Sequence, residues 1–251
     1  MDNELGKGRS ARRAFGFDEI ALAPSIITIN PDDTEVTVEL AGYKLEIPIL
    51  ASAMDSVVSP KTAIALSELG GIGVLNLQGV WTRYEDADKK LEEIARASIE
   101  AYVPLMQKLY NEPIKKDLVK RRIKEIKDGG GIAAVSSIPQ EAAELGPLAK
   151  NAGADIFVLQ STVISTKHRS SKSPPLIIKD FCEMLKIPVI VGNCVTYDVA
   201  LELMTRGVAG VLVGIGPGAA CTSRGVLGIG VPMATAIADC SAARDVYFKE
   251  N

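Results

Sequence analysis

The chain has few of the residues that bind metals or crosslink a fold. Among 251 residues it has one histidine and four cysteines, and the cysteines (182, 194, 221, 240) form no C-x-x-C pair. A structural zinc site needs clustered Cys or His ligands, and a disulfide scaffold needs a denser set of cysteines. Both classes are excluded, and the cytoplasm is the expected compartment.

The chain also lacks a strong charge of either sign and a long apolar run. Twenty-eight Lys and Arg against 31 Asp and Glu give a net charge of −3, so we expect no nucleic-acid partner. The longest uncharged run, residues 207–223, is broken by five glycines and Pro217. This run is unsuited to crossing a bilayer, so we expect no membrane partner. The basic N-terminus has no apolar stretch behind it, which excludes a secretory signal.

Six short apolar runs recur along the chain and predict an α/β fold. Each is continuous rather than alternating, as in parallel strands buried on both faces, and helical patterns lie between them. The runs are residues 47–51, 72–75, 132–135, 156–159, 187–191 and 210–213. A (β/α)8 barrel takes roughly 250 residues, but here the helix after the sixth run extends almost to Asn251. From the residues alone, a six-stranded doubly wound sheet remains an alternative.

Two segments do not fit this alternation of strands and helices. Residues 34–48 alternate with period two around Gly42-Tyr43, which predicts a β-hairpin. Residues 84–128 predict a charged pair of helices on the surface of the same domain, and Thr82 with Glu85 fits a capping box at their start. Trp81 is expected to anchor packing.

Polar residues follow five of the six apolar runs. Because ligands of parallel α/β sheets bind beyond the carboxyl ends of the strands, these residues predict a ring of hydrogen-bonding groups around a polar ligand. Any one of them could instead cap a helix or turn the chain. They are Ser52 with Met54-Asp55, Asn76, Ser136-Ser137, Gln160-Ser161-Thr162 and Asn193.

The segment after the sixth run, GIGPGAACTSR (214–224), carries the strongest signal. Its three alternating glycines leave backbone amides able to approach a phosphate closely, although glycine spacing alone often marks only a tight turn. Cys221 lies three residues before Arg224, whose charge could favour the thiolate. Cys221 is therefore the candidate nucleophile. Cys182 and Cys240 lie in amphipathic helices and Cys194 follows a strand, so all three are interpreted as structural.

The same loop resembles the active-site cysteine loop of the IMP dehydrogenase / GMP reductase family. Similar motifs follow the family's order over almost the whole chain: FDEIALAPS (17–25), PILASAMDSVVS (48–59), GGIGVLN (70–76), VIVGNCVT (189–196) and GPGAACTSRGVLGIGVPMATAIAD (216–239). The chain is most similar to the short branch that has no CBS domains. The resemblance implies a TIM-type (β/α)8 barrel that is incomplete in residues 1–251, one domain with about six βα units.

The resemblance also implies a reaction in purine nucleotide biosynthesis. Cys221 would attack C2 of IMP, hydride would pass to NAD, and water would release XMP from the thioimidate. Ser223 stands where the family usually has threonine. The resemblance also assigns the remaining site residues. The substrate would be bound by Ser52, Met54, Asn193, Gly216, Gly218 and Ala219, and NAD by Gln160 and Ser161. K+ would be bound by the backbone carbonyls of Gly216, Gly218 and Cys221.

Several differences from the family's sequence pattern leave alternative functions open. Ala219 replaces the usual loop serine, and Gln160 replaces an aspartate that meets the nicotinamide riboside, so NADP is a possible cofactor. The last two strands and the catalytic flap of the family would come after Asn251. The alternatives are a GMP reductase, which converts GMP to IMP with NADPH, and a catalytically inactive nucleotide-binding fragment. The family also implies a homo-oligomer, most simply a homotetramer.

Overall fold

The structure, a computed structural model, describes residues 2–169, 171 and 174–250. Its strands are β1 (Asp2–Gly6), β2 (Arg9–Arg12), β3 (Val38–Leu40), β4 (Tyr43–Leu45), β5 (Leu50–Ala51), β6 (Ile72–Asn76), β7 (Ala134–Ser137), β8 (Ile156–Gln160), β9 (Val189–Cys194) and β10 (Gly210–Val213). Its helices are α1 (Pro60–Glu68), α2 (Ala87–Ala95), α3 (Tyr102–Tyr110), α4 (Lys116–Asp128), α5 (Pro139–Asn151), α6 (Ile178–Leu185), α7 (Tyr197–Met204), α8 (Ser223–Leu227) and α9 (Met233–Glu250). Short 3-10 turns cover Phe17–Glu19, Pro31–Asp33 and Val80–Thr82.

All six apolar runs contribute strands to one parallel sheet with the order β10-β9-β8-β7-β6-β5. A doubly wound sheet reverses its strand order at a switch point, whereas this sheet follows the order of the chain without reversal. That order is the one in which strands of a (β/α)8 barrel are laid down. The curled six-stranded sheet is thus an incomplete TIM-type barrel, which confirms the fold implied by the resemblance and excludes the open doubly wound alternative.

The two faces of the sheet pack into two separate apolar clusters, because successive strand side chains point to opposite faces. Along β8, Phe157 and Leu159 pack outward with the helices, while Ile156 and Val158 pack inside the curl. Both sets are buried. This explains the continuous apolar runs in the sequence, since neither face of these strands meets water.

The predicted hairpin is present as β3 and β4, and it closes the inside of the curl. Ala41 and Gly42 form its two-residue turn with φ of 55° and 82°, the positive values that a tight hairpin turn requires. Leu45, 1% exposed, packs with Ile72 and Ile190 of the sheet interior. The turn lies at residues 41–42, one position before the predicted Gly42-Tyr43.

The N-terminal segment forms an antiparallel pair, β1 with β2, that the sequence analysis did not anticipate. The segment then runs along α9. The Phe15 amide donates to the Thr235 hydroxyl at 2.8 Å, and the Thr235 amide donates to the Phe15 carbonyl at 3.2 Å. Arg12 forms an ion pair with Asp239 at 2.5 Å. These contacts hold the N-terminal segment against the last helix.

The charged segment after β6 forms three helices, α2, α3 and α4, rather than the predicted pair. Pro104 does not interrupt a helix, because it lies in the first turn of α3, where a missing amide costs little. The Thr82–Glu85 capping box is also wrong. Thr82 is buried and its hydroxyl donates to the carbonyls of Leu77 and Gly79, while α2 begins only at Ala87. We call residues 83–128 the helical insert.

Buried Arg122 of α4 fastens the helical insert to the segment before it. Its guanidinium donates to the carbonyl of Trp81 at 3.0 Å and to that of Glu85 at 2.9 Å. The guanidinium also lies over the Trp81 ring, 5.5 Å from its centroid. Trp81 is 6% exposed, as expected of a packing anchor. Buried Arg122 therefore holds α4 against the turn that contains Trp81.

Candidate active site

A cavity of about 700 Å³ lies at the carboxyl ends of the strands. Its size suits a nucleotide-sized ligand. Residues that follow β6, β7, β8, β9 and β10 converge on it, so most of the polar strand ends seen in the sequence come together. The lining residues are Ala53, Asn76, Gln78, Arg83, Tyr110, Ser136, Ser137, Ile138, Gln160, Ser161, Thr162, Asn193, Gly214, Ile215, Gly216, Pro217, Cys221 and Ser223.

Cys221 is an exposed thiol on the wall of this cavity, just before α8. Its Sγ lies 3.4 Å from the Ser223 hydroxyl. Hydrogen bonds from the hydroxyl and the amide of Ser223, together with the charge of Arg224, lower the pKa of the Cys221 thiol. A thiol with a lowered pKa that is open to the cavity is suited to act as a nucleophile.

The glycines of this loop are required by its backbone and by the packing of Arg224. Gly214 and Gly216 adopt φ of 131° and 61°, a region that other residues rarely enter. A Cβ on Gly216 would lie 3.0 Å from Cγ of Arg224, and a Cβ on Gly230 would lie 2.4 Å from the same atom. The stem of Arg224 therefore packs between two bare backbone segments.

Asn193 links the end of β9 to this loop. Its side-chain amide donates to the Gly214 carbonyl at 2.9 Å, and its backbone amide donates to the Ser161 carbonyl at 2.9 Å. Gln160 and Ser161 line the adjoining wall at the end of β8. The structure thus brings Asn193, Gln160 and Ser161 to the same cavity as Cys221.

Other residues assigned to substrate binding lie outside this lining. Ser52 and Met54 are exposed, and Ala53 between them faces the cavity instead. Gly218 and Ala219 are exposed in the loop, and a Cβ on Gly218 would meet no atom within 4 Å. Their roles remain predictions.

The proposed K+ ligands are backbone carbonyls of the same loop. Gly216 is buried in the loop, and the Gly218 carbonyl accepts the Cys221 amide at 3.1 Å, which leaves a second lone pair free. Backbone carbonyl oxygens are the ligand type that K+ sites use. The donor chemistry of Gly216, Gly218 and Cys221 therefore fits a monovalent cation, with three of the ligands it needs.

The helical insert contributes two cavity residues that sequence reasoning missed, Arg83 and Tyr110. Arg83 follows the short turn at Val80–Thr82, and Tyr110 ends α3. The Arg83 guanidinium donates to the carbonyl of Gln78 at 3.0 Å and to that of Glu112. The insert was interpreted as a solvated surface, because its pattern of charged residues gave no sign of these contacts. It forms one wall of the site.

Tyr110 is held in place by Asp55, the buried residue that follows Met54. The Tyr110 hydroxyl donates to Oδ2 of Asp55 at 2.5 Å, and the Val80 amide donates to the same oxygen at 2.9 Å. Oδ1 of Asp55 is buried with no partner in the described part of the chain. Burial raises the pKa of Asp55, and burial together with the Asp55 carboxyl raises the pKa of Tyr110.

The three other thiols lie away from the cavity lining. Burial raises the pKa of Cys182 to about 11. Cys194 and Cys240 are both buried, and the hydrogen bond between them together with burial raises the pKa of Cys194. The surroundings of Cys182 and Cys194 disfavour their thiolates, and Cys240 is buried and hydrogen-bonded to Cys194, which supports the interpretation that all three are structural.

The curled parallel sheet, with a glycine-rich loop and an exposed cysteine at its carboxyl ends, is the arrangement of a (β/α)-barrel enzyme. Comparison with known proteins identifies the family. The model for the IMP dehydrogenase / GMP reductase domain matches residues 14–248. The chain therefore belongs to the IMP dehydrogenase / GMP reductase family of oxidoreductases.

Relatives of known sequence and structure agree with this assignment. An uncharacterized oxidoreductase of Mycolicibacterium smegmatis is 39% identical over 98% of this chain and 68% of its own length. The inosine-5'-monophosphate dehydrogenase of Cryptosporidium parvum is 30% identical over 97% of this chain and 60% of its own. The crystal structure of an IMP dehydrogenase/GMP reductase-like protein from Corynebacterium glutamicum superposes with a TM-score of 0.92 at 36% identity, covering 99% of this chain and 66% of that one.

A search of the helices among residues 2–169, 171 and 174–250 finds none long and apolar enough to span a bilayer.

Proposed function

We propose that the protein oxidises IMP to XMP with NAD, using Cys221 as the covalent nucleophile. The observation that carries this proposal is the exposed Cys221 thiol, whose pKa is lowered by Ser223 and Arg224, on the wall of a cavity that fits a nucleotide. Family membership supports the reaction class, and the relative from Cryptosporidium parvum bears the name of this activity.

The reaction needs the thiolate to add to C2 of the purine. Addition forms a C–S bond and a tetrahedral carbon, from which hydride leaves more readily than from an aromatic ring. NAD, when bound, accepts that hydride. Water then adds to C2 of the thioimidate, and the thiolate departs as XMP forms. The balance is IMP, NAD+ and water to XMP, NADH and a proton.

The residues of the site have separate roles in this reaction. Cys221 is the nucleophile, and the Ser223 hydroxyl stabilises its thiolate. The backbone amides around Gly218 would hold the 5'-phosphate, because bare amides bind anions. Ser52, Met54, Asn193 and Ala219 are proposed to contact the nucleotide, and Gln160 and Ser161 the nicotinamide end of NAD. Carbonyls of Gly216, Gly218 and Cys221 are proposed to bind K+, and the active assembly is proposed to be a homotetramer in the cytoplasm.

The direct test is NADH formation from IMP and NAD by the 251-residue chain, with XMP identified as the product. Cys221→Ala should abolish turnover, while Cys182→Ala should leave it within about twofold, since that thiol lies outside the cavity lining. NADPH consumption with GMP, in place of NADH formation with IMP, would identify a GMP reductase instead. IMP binding without turnover would identify an inactive nucleotide-binding protein and contradict the proposal.

A further inference from the structure

The charge of the cavity lining differs from that of the protein as a whole. The protein carries a net charge of −3, yet among the described residues that line the cavity Arg83 is the one charged side chain, and none is a carboxylate. The remaining polar lining consists of amides, hydroxyls and the Cys221 thiol. A polar cavity with one fixed cation suits an anionic ligand, because the charge is unopposed where the ligand would lie.

Arg83 is anchored on one side and free on the other. Nε and Nη1 donate to the carbonyls of Gln78 and Glu112, which fixes the plane of the guanidinium. No ion pair within 4.0 Å involves Arg83 in the described part of the chain. Nη2 has no protein partner there, and it is not fully buried. A guanidinium oriented in this way can form a paired hydrogen bond with a phosphate.

Asp55 is the carboxyl on which the charge of Arg83 acts, but it does not neutralise that charge. Asp55 feels the charge of Arg83, but its hydrogen bonds go to Tyr110 and Val80. Burial also raises the pKa of Asp55, which favours the uncharged acid. The positive charge of Arg83 is therefore available to a ligand.

The position of Arg83 separates it from the phosphate-binding loop. Arg83 follows β6 and the Gly216 loop follows β10, and these strands are separated by β7, β8 and β9. Four strand spacings amount to about 19 Å along the curve of the sheet. If the Gly216 loop holds the 5'-phosphate of a nucleotide over Cys221, Arg83 faces a second anionic group further along the cavity, beyond Gln160 and Ser161.

We propose that Arg83 binds the pyrophosphate of the dinucleotide co-substrate, so that the helical insert forms part of the dinucleotide site. This inference rests on the proposed function, which supplies the dinucleotide. It assigns to Arg83 and the insert a binding role that is separate from the chemistry at Cys221.

The test is isothermal titration of the 251-residue chain with IMP, NAD and ADP-ribose separately. Arg83→Gln should weaken the binding of NAD and of ADP-ribose by about tenfold to a hundredfold, the effect of losing a charge-assisted hydrogen bond. Binding of IMP should stay within about twofold. The matched control is Arg96→Gln in the same insert, because the Arg96 side chain is 80% exposed and pairs only with Glu92 on its own helix. It should leave all three affinities unchanged.

A second measurement separates binding from a structural role of Arg83. Salt screens a charge–phosphate contact, so at a fixed K+ concentration NAD affinity should fall with added choline chloride in the wild type, and less steeply in Arg83→Gln. Arg83→Lys keeps the charge without the paired geometry and should retain the salt dependence with intermediate affinity. The comparison of Arg83→Lys with the wild type does not depend on the stability of Arg83→Gln.

The results for Arg83 and the results for Cys221 test the pyrophosphate assignment and the proposed function separately. Equal NAD and ADP-ribose affinity in the wild type and Arg83→Gln, or loss of IMP binding alone, overturns the pyrophosphate assignment while Cys221 chemistry stands. Absence of dinucleotide binding in the wild type also overturns it. Absence of Cys221-dependent turnover of IMP counts against the proposed function, whatever Arg83 does.

Discussion

The Ser223 hydroxyl lies 3.4 Å from the thiol of Cys221, two residues earlier in the same loop. The Cys221 amide donates to the Gly218 carbonyl, which turns the chain so that the thiol and the hydroxyl come together at the start of α8. Because the contact is local, the short loop sequence is enough to create it once the glycines allow the turn. It lowers the pKa of an otherwise fully exposed thiol.

The cysteines of the native protein should be alkylated in the order of their exposure and thiol pKa. We expect iodoacetamide to modify Cys221 first, with an apparent pKa below the usual thiol value of about 8.5, and Ser223→Ala to move it back towards that value. Cys182, whose pKa burial raises to about 11, is the internal control. Peptide mass spectrometry over a pH series provides the measurement, and faster modification of Cys182 than of Cys221 would contradict the expectation.

Replacement of Gly216 should disturb the loop. Gly216→Ala places a side chain at φ 61° and within 3.0 Å of Arg224 Cγ, so we expect a loss of about 1–2 kcal/mol in the free energy of unfolding. Turnover of IMP should fall at least tenfold. Gly225→Ala is the control, because a Cβ there meets no atom within 4 Å and its helix α8 favours alanine. Urea unfolding and steady-state assays compare the two, and equal stability would count against the role of Gly216.

Asp55 makes the stability depend on pH. Burial raises its pKa, so the native state keeps the Asp55 proton to a higher pH than the unfolded chain, whose value is about 3.9. Above about 3.9 and up to the raised pKa, the native state binds more protons, and the free energy of unfolding falls as pH rises. Relative to Asp55→Asn, the wild type should therefore lose stability as pH rises from about 4 up to the raised pKa of Asp55.

Urea titrations of both proteins over that range measure the difference. Asp117→Asn is the control, because the Asp117 side chain is 99% exposed, and its difference from wild type should stay flat. A difference between wild type and Asp55→Asn that grows in favour of wild type as pH rises would show that Asp55 is stabilised as a carboxylate.

Replacing the guanidinium of Arg122 with the ammonium group of lysine should destabilise the protein. Arg122→Lys loses the fork that donates to Trp81 and Glu85 together, and it leaves the buried Trp81 carbonyl without a donor. We expect a loss of about 2 kcal/mol or more in the free energy of unfolding. Its neighbour Arg121 is half-exposed and pairs with Glu85, so Arg121→Lys should cost about 0.5 kcal/mol or less. Chemical denaturation compares the two variants, and similar losses would contradict a fastening role for Arg122.

The sequence by itself determined the strands and the family, and it predicted Cys221 as the nucleophile. Apolar residues such as Phe157 and Val158 must both be buried, which requires a strand covered on both sides, and this constraint is visible in the run itself. Ser59 and Pro60 likewise specify the start of α1, where Ser59 accepts the Thr62 amide at 3.0 Å. Local chemistry of this kind depends on neighbouring residues and can be predicted without the fold.

Only the tertiary structure decided how the wall of the cavity opposite Cys221 is built. Arg83 and Tyr110 are held at the site by Glu112 and Asp55, which lie 29 and 55 residues away from them in the chain. Nothing in the pattern of a charged helical segment encodes partners at that distance. The strand order was equally hidden, because the same alternation of strands and helices fits an open sheet or a barrel. Sequence patterns report which residues must be buried, whereas the pairing of distant segments follows from the packing of the whole chain.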